Sequence, residues 1–147
     1  MNPVTIREMT PDDVPAVVEI EKASYTMPWS ETSFLSEIYS RHSITRVAEL
    51  GGKIIAYICV KEVADEGHLM NLTVNPNRRR QGIAKMLFDD AMGDLRTSGC
   101  RFIYLEVRAS NNAARNMYEK LKFKVVGTRK DYYIRPVENA LIMMLEL

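Results

Sequence analysis

The stretch "NLTVNPNRRRQGIAKMLFDDAM", residues 71–92, decides the fold. Its first four residues end an apolar strand, "GHLMNLTV" (67–74), which breaks at Asn75-Pro76. The chain then resumes in another period: Ile83, Met86, Leu87 and Ala91 fall at i, i+3, i+4 and i+8, so a helix runs to about Thr97 and Ser98-Gly99 ends it. "FIYLEV" (102–107) follows as a strand. Residues 67–107 therefore make one β-α-β crossover, which requires a parallel strand pair and a helix on the face of the sheet. A strand leading through a glycine loop into a helix start gathers free backbone N–H groups and the positive end of the helix dipole, a ready anion site. Gly82 and Ala84 leave the backbone open to a pyrophosphate, and Arg78, Arg79 and Arg80 would add charge around it. The plainer reading is a solvated basic turn, and the residues alone leave both open. A grip on nucleic acid fits less well, because the helix sets Asp89, Asp90 and Asp94 beside Lys85 and Arg96.

Outward from this unit, "VTIREM" begins as a short strand. Thr10-Pro11-Asp12-Asp13 then reads as a helix start, with Thr10 as cap, Pro11 in the first turn and Asp13 at the capping-box position. Val14, Val17 and Val18 supply the buried face of that helix. Pro28 and Trp29 precede a second helix, capped by Ser30, with Phe34, Leu35 and Ile38 inward. "SITRVAEL" and "KIIAYICVKE" flank Gly51-Gly52, a two-residue hairpin signal. Past the crossover, "SNNAARNMYEKLKF" is a helix with Ala114, Met117, Tyr118 and Leu121 on one face, and "KVVGTR" and "NALIMMLEL" are the last two strands. The order β-α-α-β-β-β-α-β-α-β-β predicts an α/β (α+β) fold: a mixed, mostly antiparallel sheet of six to seven strands, with about four helices on its faces.

Composition bounds what such a fold can do. The 147 residues suit a single domain, 1–147, and the 46% hydrophobic content can fill its core. Twenty basic against nineteen acidic residues give a net charge of +1, without the basic excess of a dedicated nucleic-acid binder. No apolar run approaches the ~20 residues of a membrane helix, and "MNPVTIREMTPDD" lacks a signal-peptide core, so a cytoplasmic protein is expected. Cys59 and Cys100 are too few for a disulfide framework and read as reduced thiols. His42 and His68 have no metal-ligand spacing with them; His68 would relay a proton or, more plainly, sit as a surface histidine at a strand end.

Several residues carry two readings at this stage. Glu106 is the one acid inside an apolar strand, near the carboxyl end where α/β ligand sites gather, with Phe102 and Tyr104 as its alternation partners. It is either a functional carboxylate or a surface one. Tyr118, at helical spacing with Ala114, is a core aromatic or a group aimed at a site. Asn111 is a helix cap by its chemistry. Tyr132 and Tyr133 in "RKDYYIRP" are packing aromatics or the wall of a groove, with Trp29 supporting the other side.

Arg79-x-x-Gly82-x-Ala84 resembles the Q/R-x-x-G-x-G/A signature of the GNAT acyltransferases. "MPWSETSF", "LEVRASNNAARNMYEKLKF" and "RKDYYIRPVENALIMMLEL" are similar to the RimI-type branch of that family, the ribosomal-protein alanine N-acetyltransferases, and the likeness covers essentially the whole chain. It implies acetyl-coenzyme A as cosubstrate, without a metal, its pyrophosphate held by Arg79, Arg80, Gln81, Gly82, Ile83, Ala84 and Lys85. It further implies that backbone groups of Leu72, Thr73 and Val74, on a strand splayed from its neighbour, hold the thioester and pantetheine, and that Asn111 hydrogen-bonds the pantetheine arm. Glu106 would be the general base and Tyr118 the acid that protonates the leaving thiolate. The implied acceptor is a protein N-terminus exposing alanine, with small-subunit ribosomal protein S-eighteen as the first target. Direct transfer in a ternary complex fits, since neither cysteine lies in an activating motif. The chain departs from the family pattern at Ala84 in place of the last glycine, at Arg79 in place of the commoner glutamine, and at Lys122, where glycine would ease a left-handed helix cap. Two rivals stay open: a GNAT enzyme acting on small amines or lysine side chains, and a non-catalytic RNA-binding module on the ribosome.

Overall fold

The computed structural model describes residues 3–147. In chain order it holds β1 (Thr5–Glu8), α1 (Val14–Ser24), α2 (Glu31–Tyr39), β2 (Ser43–Leu50), β3 (Lys53–Val63), β4 (Glu66–Val74), α3 (Ile83–Thr97), β5 (Phe102–Arg108), α4 (Asn112–Lys120), β6 (Lys124–Ile134) and β7 (Val137–Glu146). The seven strands form one sheet in the order β1-β2-β3-β4-β5-β7-β6, and every neighbouring pair is antiparallel except β4–β5. The succession of elements along the chain and the mostly antiparallel mix are those that the hydrophobic periodicity predicts.

Local chemistry explains most boundaries. The Thr10 N–H donates to the Asp13 carboxylate over 2.8 Å, the capping-box bond, after a single tight turn at Pro11–Asp13. Ser30 accepts from the Ser33 N–H at 3.1 Å and so starts α2. Gly51 and Gly52 both take positive φ, 59° and 78°, the geometry of a two-residue hairpin turn. Lys122 closes α4 at φ +79°, with the Phe123 N–H bonded back to the Tyr118 carbonyl at 3.0 Å. That is the left-handed cap expected there, formed without glycine's ease.

The sheet is covered on both faces. On one, α1 and α2 bring Val17 and Phe34 onto Val47, Tyr57 and Cys59. On the other, α3 buries Leu87, Phe88, Ala91 and Leu95 against Ile58, Leu69, Ile103 and Met143. Ala114, Met117 and Tyr118 of α4 pack on the margin of that second core.

One expectation is corrected. The sixth strand does not end with "KVVGTR": β6 runs on through Tyr132 and Tyr133 to Ile134 and turns at Arg135-Pro136 into β7. Aromatic and β-branched residues favour the extended ribbon. The polar Lys130-Asp131 step is absorbed as a bulge, between the Arg129↔Ala140 and Tyr133↔Glu138 pairs. Asp131 there has φ +52°, and its N–H donates to the Asn139 side chain at 3.0 Å.

The parallel pair places the site. Its ladder holds three residue pairs, Glu66↔Phe102, Gly67↔Ile103 and His68↔Tyr104, and then stops. Beyond it β4 continues to Val74 on β3 alone, and β5 continues to Arg108 on β7 alone. The sheet is forked, and backbone groups along that inner edge of β4 have no strand opposite.

Candidate active site

The glycine loop stands at the mouth of the fork. After β4 a short turn spans Pro76–Arg78, held by the Asn75 side chain accepting from the Asn77 N–H at 3.0 Å. Arg80 and Gly82 then take positive φ, 65° and 76°. The first bond of α3 is from the Met86 N–H to the Gly82 carbonyl, 3.1 Å. The N–H groups of Ile83, Ala84 and Lys85 therefore precede the helical ladder and are left for another acceptor. A Cβ at Gly82 would meet nothing within 4 Å, so the space in front of this backbone is open. Arg79, Arg80 and Gln81 are exposed around it. Arg79 Nε also reaches the Val74 carbonyl at 3.5 Å, and Lys85 is paired with Asp89 at 2.5 Å on the outer face of α3. Open space, unused donors and flanking guanidinium groups fit a pyrophosphate.

Behind the free edge of β4 lies a buried polar network that sequence reading missed. Glu21 of α1 is only 2% exposed. It accepts from the Tyr57 hydroxyl (2.5 Å), the Asn71 amide (2.9 Å) and the Trp29 backbone N–H (3.0 Å). Thr73 donates to Asn71 Oδ1 at 2.7 Å, so the Tyr25 hydroxyl, 2.7 Å from Thr73 Oγ1, is the donor in that contact. Thr73 is thus buried and tied into this network, and Leu72 packs into the α3 core on the other face, while their strand edge faces the fork. The available signal was spacing: Val14, Val17, Val18 and Glu21 fall at i, i+3, i+4 and i+7, so the apolar stripe of α1 ends on an acid.

Glu106 and His68 face each other across the fork. Glu106 Oε2 lies 2.6 Å from His68 Nε2, with the carboxylate side chain 11% exposed and the imidazole 28%. The His68 ring stacks on Tyr104, centroids 4.6 Å apart and planes 7° from parallel. This corrects the expectation of a lone surface histidine. The strand spacing was legible, but the partner lies across a ladder that no local pattern reveals. Tyr118 presents a hydroxyl with no hydrogen-bond partner among the described residues, and its ring meets Phe123 edge-on at 5.9 Å. Burial, and the nearby Tyr25 and Tyr133 phenols, push its pKa well above the ordinary tyrosine value, so it keeps its proton at neutral pH. Asn111 caps α4, its Oδ1 accepting from the Ala114 N–H at 3.1 Å and its amide NH2 without a partner among the described residues.

The β6–β7 ribbon closes one side of the site. The Arg108 guanidinium lies 4.2 Å over the Tyr133 ring and donates to the carbonyls of Arg135 and Pro136, both at 3.1 Å. Glu138 accepts from Arg108 at 3.3 Å and from the Ser110 N–H at 2.6 Å, contacts that hold its carboxyl below the usual carboxylate range. Tyr132 meets Tyr133 edge-on at 5.0 Å and stays exposed. On the other side Trp29 packs against Phe34, 5.1 Å between centroids, so it supports the α1–α2 turn from within. The large apolar side chains that turn exposes are Met27 and Tyr25, the latter with its hydroxyl turned in to Thr73. Both thiols are withdrawn: burial raises the Cys59 pKa, and burial with Glu62 at 3.1 Å pushes Cys100 up to about 12. Neither is a nucleophile at neutral pH.

A forked α/β sheet with an anion cradle at its mouth and a carboxylate in its cleft is acyl-transfer architecture. The chain belongs to the acetyltransferase (GNAT) family, whose model matches residues 14–123. Among its relatives, the ribosomal protein bS18-alanine N-acetyltransferase of Escherichia coli K12 is 35% identical over 145 residues, 97% of each chain. A protein of Bacillus subtilis 168, named putative for the same activity, is 33% identical over 97% of this chain and 95% of its own. A crystal structure of the ribosomal-protein-alanine N-acetyltransferase from Escherichia coli superposes with a TM-score of 0.88 at 34% identity, covering 98% of this chain and 94% of that one.

Proposed function

We propose that this chain, as one domain, transfers the acetyl group of acetyl-coenzyme A to the α-amine of a protein N-terminus beginning with alanine, in the cytoplasm and without a metal. Ribosomal protein S-eighteen is the first acceptor to test, on the strength of the relatives so named. The observation that carries the chemistry is Glu106 at the fork, a carboxylate with one oxygen bound to His68 and the other without a protein partner among the described residues.

The pyrophosphate is held by the N–H groups that open α3, with Arg79, Arg80 and Gln81 around it, and Asn111 has an amide group free for the pantetheine arm. The thioester lies along the free edge of β4 at Leu72–Val74, where N–H groups polarise its carbonyl. An α-amine with a pKa near 7.7–8.0 is mostly protonated at neutral pH, so Glu106 takes a proton before the nitrogen attacks. The C–N bond forms, the C–S bond breaks, and Tyr118 supplies a proton to the thiolate. The second proton, shed by the acylated nitrogen, restores the Tyr118 phenol, while the proton on Glu106 passes to water. Tyr25 and Met27 on one side, with Tyr132 and Tyr133 on the other, flank an extended peptide tail. Withdrawal of both thiols supports one direct transfer.

The test is mass spectrometry of a peptide panel after incubation with acetyl-coenzyme A. Acetate should appear on the α-amine of alanine-initial peptides. Acetate confined to lysine side chains or polyamines, or salt-sensitive RNA binding with no thiol release, would replace this reading with one of its rivals.

A further inference from the structure

We propose that His68 is a positioning residue for acetyl transfer: it fixes the Glu106 carboxylate so that the unpaired oxygen faces the incoming amine. The inference rests on the reading of Glu106 as base. His68 and Tyr104 are the last rung of the β4–β5 ladder, so the imidazole stands where the strands part. Its ring is laid flat on Tyr104, which sets its plane, and Nε2 reaches diagonally to the carboxylate two residues further along β5. An ionised carboxylate can only accept, so Nε2 carries the hydrogen in this contact. The neutral Nε2–H tautomer and the imidazolium both donate, and the anchor holds in either state.

The anchor matters because the terminal torsion of a glutamate is broad and nearly two-fold. Without a partner the carboxylate would swing, and Oε1 would meet the amine in only a fraction of encounters. A base is oriented by a third group in many acyl-transfer sites. Here that group comes from the opposite branch of the fork, so the orientation of the base reports the geometry of the cleft itself. No other described residue hydrogen-bonds the Glu106 carboxylate.

Steady-state kinetics of four variants tests this. His68→Leu should lower kcat roughly 10–100-fold, the range a hydrogen bond to a charged group is worth, with KM for acetyl-coenzyme A and the thermal midpoint unchanged. His68→Gln, whose amide nitrogen can occupy the place of Nε2, should recover most of that loss. Glu106→Gln alone should be slow, and adding His68→Leu to it should cause no further loss, because the anchor then has no base to hold. Nitrogen-correlated ring spectra of the free protein, which has two histidines, should show His68 as the Nε2–H tautomer in its neutral state. Normal kcat in His68→Leu, the same fractional loss with and without Glu106, or an Nδ1–H ring would each overturn the proposal. Normal turnover in Glu106→Gln would instead remove the underlying reading of the base.

Discussion

Tyr118 carries a hydroxyl that no described protein group claims, on a ring held by Phe123 at the end of α4. Burial keeps it protonated, which is the state a donor to a leaving thiolate needs. Tyr118→Phe should leave coenzyme A affinity intact and lower turnover by roughly 10²-fold. The loss should shrink with acyl donors whose thiols have lower pKa, because such leaving groups need less protonation; an equal loss with every donor would make the tyrosine a packing residue. Gly82 permits a sharper test of binding. At φ +76° and in front of open space, it can be replaced only with strain and with obstruction of the cradle. Gly82→Val should weaken coenzyme A binding at least tenfold by calorimetry in protein that still folds. Unchanged affinity would move the pyrophosphate elsewhere. Glu106 and Gly82 stand out in sequence as candidates because each breaks a local rule, an acid in an apolar strand and a glycine at a strand-to-helix junction. His68 and Arg108 do not, since their meaning comes from Glu106 and Tyr133 across the sheet.

Elements are tied together here by a few polar joints, and these fix where the site's walls stand. Glu21 connects α1 to the α1–α2 turn through Trp29, to β3 through Tyr57 and to β4 through Asn71. Glu21→Ala would leave three buried donors unpaired, and denaturant titration should show a loss of about 2–4 kcal/mol. A smaller loss would mean that water enters and takes over the bonds. At the other end of the sheet, Arg7 of β1 grips Asp13 at the start of α1 through two contacts of 2.8 Å. This pair holds the Asp13 carboxyl below its ordinary 3.8, so the folded state favours the ionised form. The stabilisation is fully present above about pH 4 and is lost as pH falls through the depressed folded value. Asp13→Asn should therefore be less stable than the parent by on the order of 1 kcal/mol at neutral pH, given the partial exposure of Arg7. That gap should close on acidification below pH 4, and a gap independent of pH would assign the effect to the capping bond alone.

The whole molecule was largely readable from periodicity: seven strands, four helices and one crossover follow from alternation in segments such as "FIYLEV" and from helical spacing in 83–97. What periodicity could not give is strand order and where pairing ends. The position of β7 between β5 and β6, and the arrest of the β4–β5 ladder after His68, depend on contacts between segments distant in sequence. Among the described residues, only three ladder pairs join the β1–β4 half of the sheet to the β5–β7 half. A coenzyme laid along β4 and against α4 would span both halves. Saturating coenzyme A should therefore raise the thermal midpoint and slow amide hydrogen exchange at 66–68 and 102–104 more than in β1–β2; uniform slowing would mean no special brace at the seam. By mass action, a donor bound only by the folded chain stabilises it in proportion to the logarithm of its concentration. The acetyl donor would then govern survival as well as rate. When it is scarce the halves are held by those three rungs and the α3 core packed across them, and the idle chains become the ones most open to proteases.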